Sequence, residues 1–142
     1  MRKSARGLRA WMAFGPVLLA IASMPLANAA SLPEPARSEI GALLSRLEGS
    51  GCSFIRNGTG YSAAEARAHL DRKLRYLVNR SAVASAEQFI DRAASESSLS
   101  GQPYWVRCEG SLPVQSHTWL QGELRRLRAQ SAMPVAPTPP AH

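Results

Sequence analysis

Apolar residues recur at helical spacing in four segments of the chain, which predicts four amphipathic helices. The first is predicted to begin at a capping Ser38 and to end at Gly49. Capping boxes of the form S-x-x-E and S-x-x-Q open the second and third at Ser62 and Ser85, and Ser116 can cap the fourth. The predicted apolar faces are Ile40, Leu43, Leu44 and Leu47; Ala63, Ala66, Leu70, Leu74 and Leu77; Phe89, Ile90, Ala93 and Ala94; and Trp119, Leu120, Leu124 and Leu127.

Two short segments between these helices have the composition of β-strands. One is "CSFIR", which stops at Asn57-Gly58, and the other runs from Tyr104 to Cys108. The simplest arrangement pairs the two strands. The sequence therefore predicts a mainly helical α+β fold with about four helices and a short two-stranded sheet.

The two ends of the chain differ in composition from its middle. Residues 1–29 carry four basic side chains, an apolar run and an Ala27-Asn28-Ala29 motif, a pattern typical of an export signal cleaved near Ala29. Residues 30–37 form a short lead, residues 38–130 one small globular domain, and the Pro-rich residues 131–142 a disordered tail. We therefore expect a periplasmic protein without a membrane span in its mature chain.

Removal of the predicted signal changes the charge balance. The whole chain has 17 basic and 10 acidic residues, and four of the basic residues precede Ala30, so 13 and 10 remain, for a net charge of +3. Nucleic-acid binding normally needs a concentrated basic stripe. We therefore expect no nucleic-acid partner.

Cys52 and Cys108 are the only cysteines in the chain. Export would take them to a compartment where disulfides persist, so a structural disulfide is predicted. A redox-active pair or a metal site is the alternative, but the sequence lacks a C-x-x-C motif, and His69 and His117 have no metal-ligand spacing with the cysteines. We expect neither a metal site nor a cofactor.

A polar stripe follows the apolar face of the second predicted helix. Glu65, His69 and Lys73 are each four residues apart, and Arg80 continues the same flank. A histidine between a carboxylate and an ammonium group can change its charge near neutral pH, which makes His69 a candidate for proton transfer or ligand contact. The alternative is structural: Glu65 caps the helix, His69 packs at the edge of the core, and Lys73 faces solvent.

The segment "RNGTGY" leads directly into this helix. Its backbone N–H groups and Arg56 could face an anion at the positive end of the helix, although a two-glycine turn is also common for reasons of backbone shape. Ser98 or Ser100 could act as a nucleophile with His69 as base, but the chain has no G-x-S-x-G elbow and no identifiable third member. No catalytic residue is assigned.

A set of short motifs resembles the YfeK-like family of small exported bacterial proteins. The resemblance covers about residues 38–107, and the family is a domain of unknown function, so it implies an exported bacterial protein but no activity. The matching motifs are Arg56-Asn57-Gly58, Glu65-Ala66, His69-Leu70, Lys73-Leu74, Asn79-Arg80, Ala86-Glu87-Gln88-Phe89-Ile90-Asp91, Ser98, Ser100-Gly101 and Pro103-Tyr104.

Many of the matching positions are polar and fall on two loops and one helix flank. A disulfide would draw these pieces together, which suggests one polar cleft that binds an envelope component or a periplasmic protein. We therefore predict a non-catalytic binding or interaction module; the alternative is a small cell-envelope hydrolase or transferase that uses His69. The candidate cleft residues are Arg56, Asn57, Glu65, His69, Lys73, Arg80, Ser98, Ser100 and Tyr104.

Overall fold

The computed structural model describes residues 31–133. The predicted signal segment and most of the predicted Pro-rich tail lie outside the described residues. Within the described part of the chain, no helix combines the length and the apolar character that crossing a membrane requires.

The fold is α+β and mainly helical, as predicted. Within residues 31–133, four helical segments and four short strands follow one another, and the third helix continues directly as one π-helical segment. In chain order the elements are α1 (Glu34–Glu48), β1 (Ser53–Arg56), β2 (Thr59–Tyr61), α2 (Ala63–Val78), α3 (Ala86–Phe89) with the π-helical segment Ile90–Ala94, β3 (Trp105–Arg107), β4 (Val114–Gln115) and α4 (Ser116–Ser131).

The sheet has four strands, so the prediction of a two-stranded sheet was wrong. The predicted pair, β1 and β3, forms the centre, and β2 and β4 add one antiparallel strand on either side. β2 exists because Asn57 and Gly58 both have positive φ, at 49° and 78°, which closes a two-residue hairpin. The pair of residues that was expected only to end β1 therefore folds the chain back upon it.

The predicted disulfide between Cys52 and Cys108 is present. The two Cα atoms are 4.2 Å apart. Ser53 pairs with Arg107 in the β1–β3 ladder, so the two cysteines occupy the next opposed position beyond the ladder. The bond ties the start of one central strand to the end of the other.

The first helix begins five residues earlier than predicted. It starts at Glu34, with Pro33 in the capping position and Pro35 in the first turn. A proline fits in the first turn because the N–H groups there have no intrahelical partner. Ser38 therefore lies inside the helix instead of capping it, and part of the predicted lead 30–37 is helical. At the other end of the domain, α4 starts at Ser116 with Gln115 in the capping position, and it reaches Ser131.

The third helix has only half of the predicted capping box. The Ser85 side chain accepts a hydrogen bond from the backbone N–H of Gln88. The Gln88 side chain accepts from the backbone of Ala84, one residue before the cap. After Phe89 the helix widens into the π-helical segment, which leads into the turns before β3.

The core lies between the inner face of the sheet and helices α1, α3 and α4, while α2 packs at its edge. Each predicted apolar face points into the core. On α2 only Ala63 and Leu70 are buried, and Ala66, Leu74 and Leu77 are partly covered. This helix contacts α1, β1 and the π-helical segment, so the flank beside its apolar face borders the sheet.

Replacing Ser62 with alanine is expected to lower the free energy of unfolding by about 1 kcal/mol, because Ser62 and Glu65 form a complete capping box at the start of α2. The Ser62 hydroxyl accepts from the Glu65 backbone at 3.3 Å, and the Glu65 carboxylate accepts from the Ser62 backbone at 2.8 Å. Urea unfolding followed by circular dichroism measures the loss. Ser111→Ala, in an exposed loop, is the control, and an equal loss in both variants would show that the cap contributes nothing specific.

Candidate functional site

Three separate elements bring polar side chains together beside α2. Arg56 ends β1, His69 lies in the middle of α2, and Tyr104 directly precedes β3. If the β1–β3 register is continued by one residue, Arg56 lies opposite Tyr104. The β1–β3 ladder and the disulfide hold the two central strands together, so the positions of Arg56 and Tyr104 follow from the sheet.

His69 lies at the centre of a hydrogen-bonded group. Arg56 Nη1 is 3.1 Å from His69 Nδ1 and 3.4 Å from Nε2, so Nδ1 is the better acceptor for this guanidinium. In the neutral imidazole the proton then sits on Nε2, which donates to Tyr104 Oη at 3.1 Å. Lys73 Nζ also lies 3.4 Å from Tyr104 Oη, and it donates to the backbone oxygen of Glu96 at 2.9 Å.

Burial and neighbouring cations keep His69 neutral. Burial is the main cause that lowers the pKa of His69 from 6.5 to about 4, and Arg56, Lys73 and Arg72 lower it further. Burial also raises the pKa of Tyr104 and lowers that of Lys73. At neutral pH the group therefore contains a neutral imidazole and a neutral phenol beside cationic side chains.

We expect an NMR titration of the His69 imidazole to give a midpoint near pH 4. The unfolded chain takes up this proton at about pH 6.5, before the folded protein does, so folding stability should fall as the pH drops from about 6.5 to about 4. Arg56→Gln should raise the midpoint, because it removes a nearby positive charge. A midpoint at or above 6.5 in the folded protein would contradict the expected environment of His69.

The hydrogen-bonded group forms one wall of a cavity. The cavity has a volume of about 270 Å³ and lies between α2 and the inner face of the sheet. Pockets for drug-sized ligands are typically about 300–1,000 Å³, so this one suits a smaller molecule. Arg56, His69 and Tyr104 provide its polar wall, and its apolar wall is formed by Phe54, Ala66 and Leu70.

The charge of the cavity lining is positive. Arg56 and Arg72 both line the cavity, and within residues 31–133 neither has a carboxylate at ion-pair distance. Glu65 is the one acidic residue in the described lining. Its Oε2 accepts hydrogen bonds from the backbone and hydroxyl of Ser62, and the backbone bond is the main cause that lowers its pKa. This carboxylate is therefore already engaged at the helix cap.

Five of the predicted cleft residues do not line this cavity. Lys73 is one of them, although its Nζ lies within reach of the Tyr104 hydroxyl. The Ser100 hydroxyl donates to Asn57 Oδ1 at 2.7 Å, which links the hairpin tip to the turn before β3. Ser98 is exposed and lines a second, shallower depression together with His69 and Lys73. Arg80 lies over the ring of Tyr76, 4.2 Å from its centroid. The structure thus groups Arg56, Glu65, His69, Lys73 and Tyr104, and it places Arg80 apart from them.

Two residues that contribute to the site were not predicted. Tyr61 Oη accepts a hydrogen bond from Arg56 Nη2 at 3.3 Å, and the Arg56 guanidinium lies 5.1 Å from the Tyr61 ring centroid. The Asn57-Gly58 hairpin signal would have found it, since that turn places Tyr61 opposite Phe54. Arg72 is one helical turn after His69, but spacing alone does not show that an exposed arginine borders a cavity.

The side chains considered for covalent chemistry are hydrogen-bonded to other residues or exposed. Both nitrogens of His69 have partners, Ser100 is bonded to Asn57, and Ser98 is exposed. Among residues 31–133, no group of three or more His, Cys, Asp or Glu side chains is placed to hold a metal ion. What the site offers is an array of hydrogen-bond donors next to an apolar wall.

Comparison with known proteins gives a family but no activity. The chain is 48% identical over 52 residues to an uncharacterized protein, YfeK, of Salmonella typhimurium. This match covers 37% of the chain and 42% of that relative, so it spans less than half the length of either protein. No solved structure matches. Residues 34–128, nearly all of the described domain, match the family of unknown function DUF5329. The chain belongs to the DUF5329 family, and the predicted resemblance to YfeK-like proteins is confirmed.

Proposed function

We propose that this protein is an exported, non-catalytic binding module whose cavity between α2 and the sheet takes a small ligand. The observation that carries the proposal is the convergence of Arg56, His69 and Tyr104 from three elements onto one cavity of about 270 Å³. These side chains are held in place by hydrogen bonds to one another. A site that is ordered before binding loses less entropy when the ligand arrives, which favours recognition.

The occupancy of His69 favours binding over catalysis. A general base needs a nitrogen lone pair that can reach the proton of the reacting group. Arg56 occupies Nδ1, and Nε2 carries the proton that it donates to Tyr104. No observation specifically favours the alternative of a hydrolase or transferase that uses His69.

Two features support the proposed export to the periplasm. The first is the basic, then apolar, then Ala-x-Ala pattern of residues 1–29. The second is the disulfide between Cys52 and Cys108, because disulfides persist in oxidising compartments such as the periplasm and are rare in the cytosol.

Purification from the periplasm of a bacterial host, followed by mass spectrometry of the molecules that remain bound, tests the proposal. The variant Ala66→Leu fills the cavity, and Ala64→Leu makes the same change at an exposed position of the same helix. We expect bound small molecules in the wild type and in Ala64→Leu, and their loss in Ala66→Leu.

A second variant distinguishes loss of the ligand from a folding defect of Ala66→Leu. Ala68 also lines the cavity but is exposed, so Ala68→Leu should narrow the entrance without disturbing the core. Circular dichroism checks that every variant is folded. If the wild type carries no small molecule, or if Ala66→Leu and Ala68→Leu both retain the same molecules as the wild type, the cavity is not a binding site and the proposal is wrong.

A further inference from the structure

We infer that the ligand of this cavity is a small amphipathic anion, with its acidic group at Arg56 and Arg72 and its apolar part against Phe54. The inference rests on the proposed function and adds the chemical class of the ligand. Three features support it: the surplus of positive charge, the surplus of hydrogen-bond donors and the apolar part of the cavity lining.

The charged groups around the cavity favour an anion. Arg56 and Arg72 line it, and Lys73 contacts the Tyr104 hydroxyl that also lines it. The acidic residue in the described lining is Glu65, and its Oε2 already accepts two hydrogen bonds from Ser62. Within the described residues neither arginine forms an ion pair, so an anionic ligand would not have to displace an internal carboxylate from either guanidinium.

Arg56 is fixed in place with donors to spare. Its Nη1 donates to His69 and its Nη2 to Tyr61, and its guanidinium lies over the Tyr61 ring. A guanidinium has about five N–H donors in a planar fork, so several remain after these contacts. Because His69 and Tyr61 accept from Arg56 as neutral groups, they orient the guanidinium without cancelling its charge. Such a fork is suited to a carboxylate or a phosphate.

Tyr104 adds a further donor to the same wall. Its hydroxyl oxygen already lies within reach of His69 Nε2–H and Lys73 Nζ, both of which donate. The hydroxyl proton of Tyr104 is then left to donate to an acceptor, and burial raises the pKa of Tyr104 so that this proton is retained. Ionised carboxylates and phosphates are rich in acceptors, so they match this wall better than a neutral amide or an alcohol does.

The remaining part of the cavity lining accepts an apolar group. Phe54, Ala66 and Leu70 present carbon surface to the cavity, and they belong to the hydrophobic core or pack directly against it. A fully polar anion such as inorganic phosphate would leave this surface in contact with water. An anion with a short apolar body would cover this surface and remove it from water, which is favourable.

Isothermal titration with three six-carbon probes tests the inference: hexanoate, hexyl phosphate and the neutral hexanamide. The anionic probes should bind at least about tenfold more tightly than hexanamide, because a hydrogen bond between two charged groups is stronger than one between a guanidinium and a neutral amide. Tenfold corresponds to about 1.4 kcal/mol. The ratio of hexanoate to hexyl phosphate affinity identifies the preferred acidic group.

Substitutions of arginine locate the anion. Arg56→Gln should weaken binding of the better anionic probe at least about tenfold, because the probe loses its hydrogen bond to the charged guanidinium. Arg72→Gln should weaken it too, and Arg72 is exposed, so this change does not threaten the fold. Arg75→Gln, an exposed arginine on the same helix that does not line the cavity, should leave binding unchanged.

The outcomes separate this inference from the proposed function. If hexanamide binds as tightly as the anionic probes and Ala66→Leu abolishes its binding, the cavity binds ligands but the anionic class is wrong. The class is also wrong if none of the three probes binds while periplasmic molecules still depend on Ala66. If no probe binds and no periplasmic molecule is found, both proposals fail. Equal affinities in the wild type, Arg56→Gln and Arg72→Gln would also overturn the inference.

Discussion

Removal of the disulfide, in the variant Cys52→Ala/Cys108→Ala, is expected to lower the free energy of unfolding by about 4 kcal/mol. The bond joins positions 56 residues apart, so without it the unfolded chain gains the freedom of a long loop. A natural domain is stable by only about 5–15 kcal/mol in total, so the expected loss is a large share. Urea unfolding of the variant and of the oxidised wild type, followed by circular dichroism, measures it.

A reduced wild type is the matched comparison for this variant. Dithiothreitol opens the same bond without changing the side chains, so the reduced wild type and the double variant should unfold at similar urea concentrations. A loss below about 1 kcal/mol would mean that the unfolded chain stays compact without the bond, contrary to the chain-entropy account. Loss of all cooperative unfolding would show that the bond is required for the fold itself.

Phe89→Ala is expected to cost about 3–5 kcal/mol of unfolding free energy. Phe89 ends α3 immediately before the π-helical segment, and its side chain is 0% exposed. It is among the largest wholly buried side chains of the described domain. Its truncation leaves a cavity that the short α3 and its neighbours can close only in part.

The control for this prediction is Leu99→Ala. Leu99 is 100% exposed in the turn before β3, so loss of its side chain should change the stability by no more than about 0.5 kcal/mol. Both variants are compared with the wild type by urea unfolding under the same conditions. A cost below about 1.5 kcal/mol for Phe89→Ala would contradict a rigid core around this residue.

Local rules were enough to predict the helices. The apolar faces of all four segments point into the core, and the Ser62–Glu65 capping box forms as its pattern indicated. These features depend on residues within one or two helical turns of each other, so the sequence contains most of the information they need. The errors lie at helix ends, where Pro33 and Gln115 occupy the capping positions predicted for Ser38 and Ser116.

The sheet could be predicted only in part. The disulfide requires Cys52 and Cys108 to meet, which brings β1 and β3 together. β2 depends on the positive φ angles of Asn57 and Gly58, and a turn signal can equally end a strand or fold it back. β4 is only Val114–Gln115, too short to have a pattern of its own, and it exists because β3 offers it a partner.

The candidate site also combines features that the sequence predicts with features that only the fold creates. Helical spacing placed Glu65, His69 and Lys73 on one flank, because four residues make about one turn. It could not show that Arg56 donates to His69 from 13 residues away, or that Tyr104 meets His69 from 35 residues away. Nor could it separate Arg80, which shares the flank but stacks on Tyr76.

By itself the sequence determined the helical faces, the α2 cap, the disulfide pairing and the family. Only the tertiary structure decided that the sheet has four strands and that a cavity lies beneath α2, lined by two arginines that form no ion pair within residues 31–133. The physical reason is the distance along the chain over which the interactions act. Capping and amphipathic spacing act between neighbours along the chain, whereas a cavity is the space left between elements once their packing is complete. His69 illustrates both: its place on the helix follows from spacing, but its lowered pKa follows from burial and from cations that the fold brings to it.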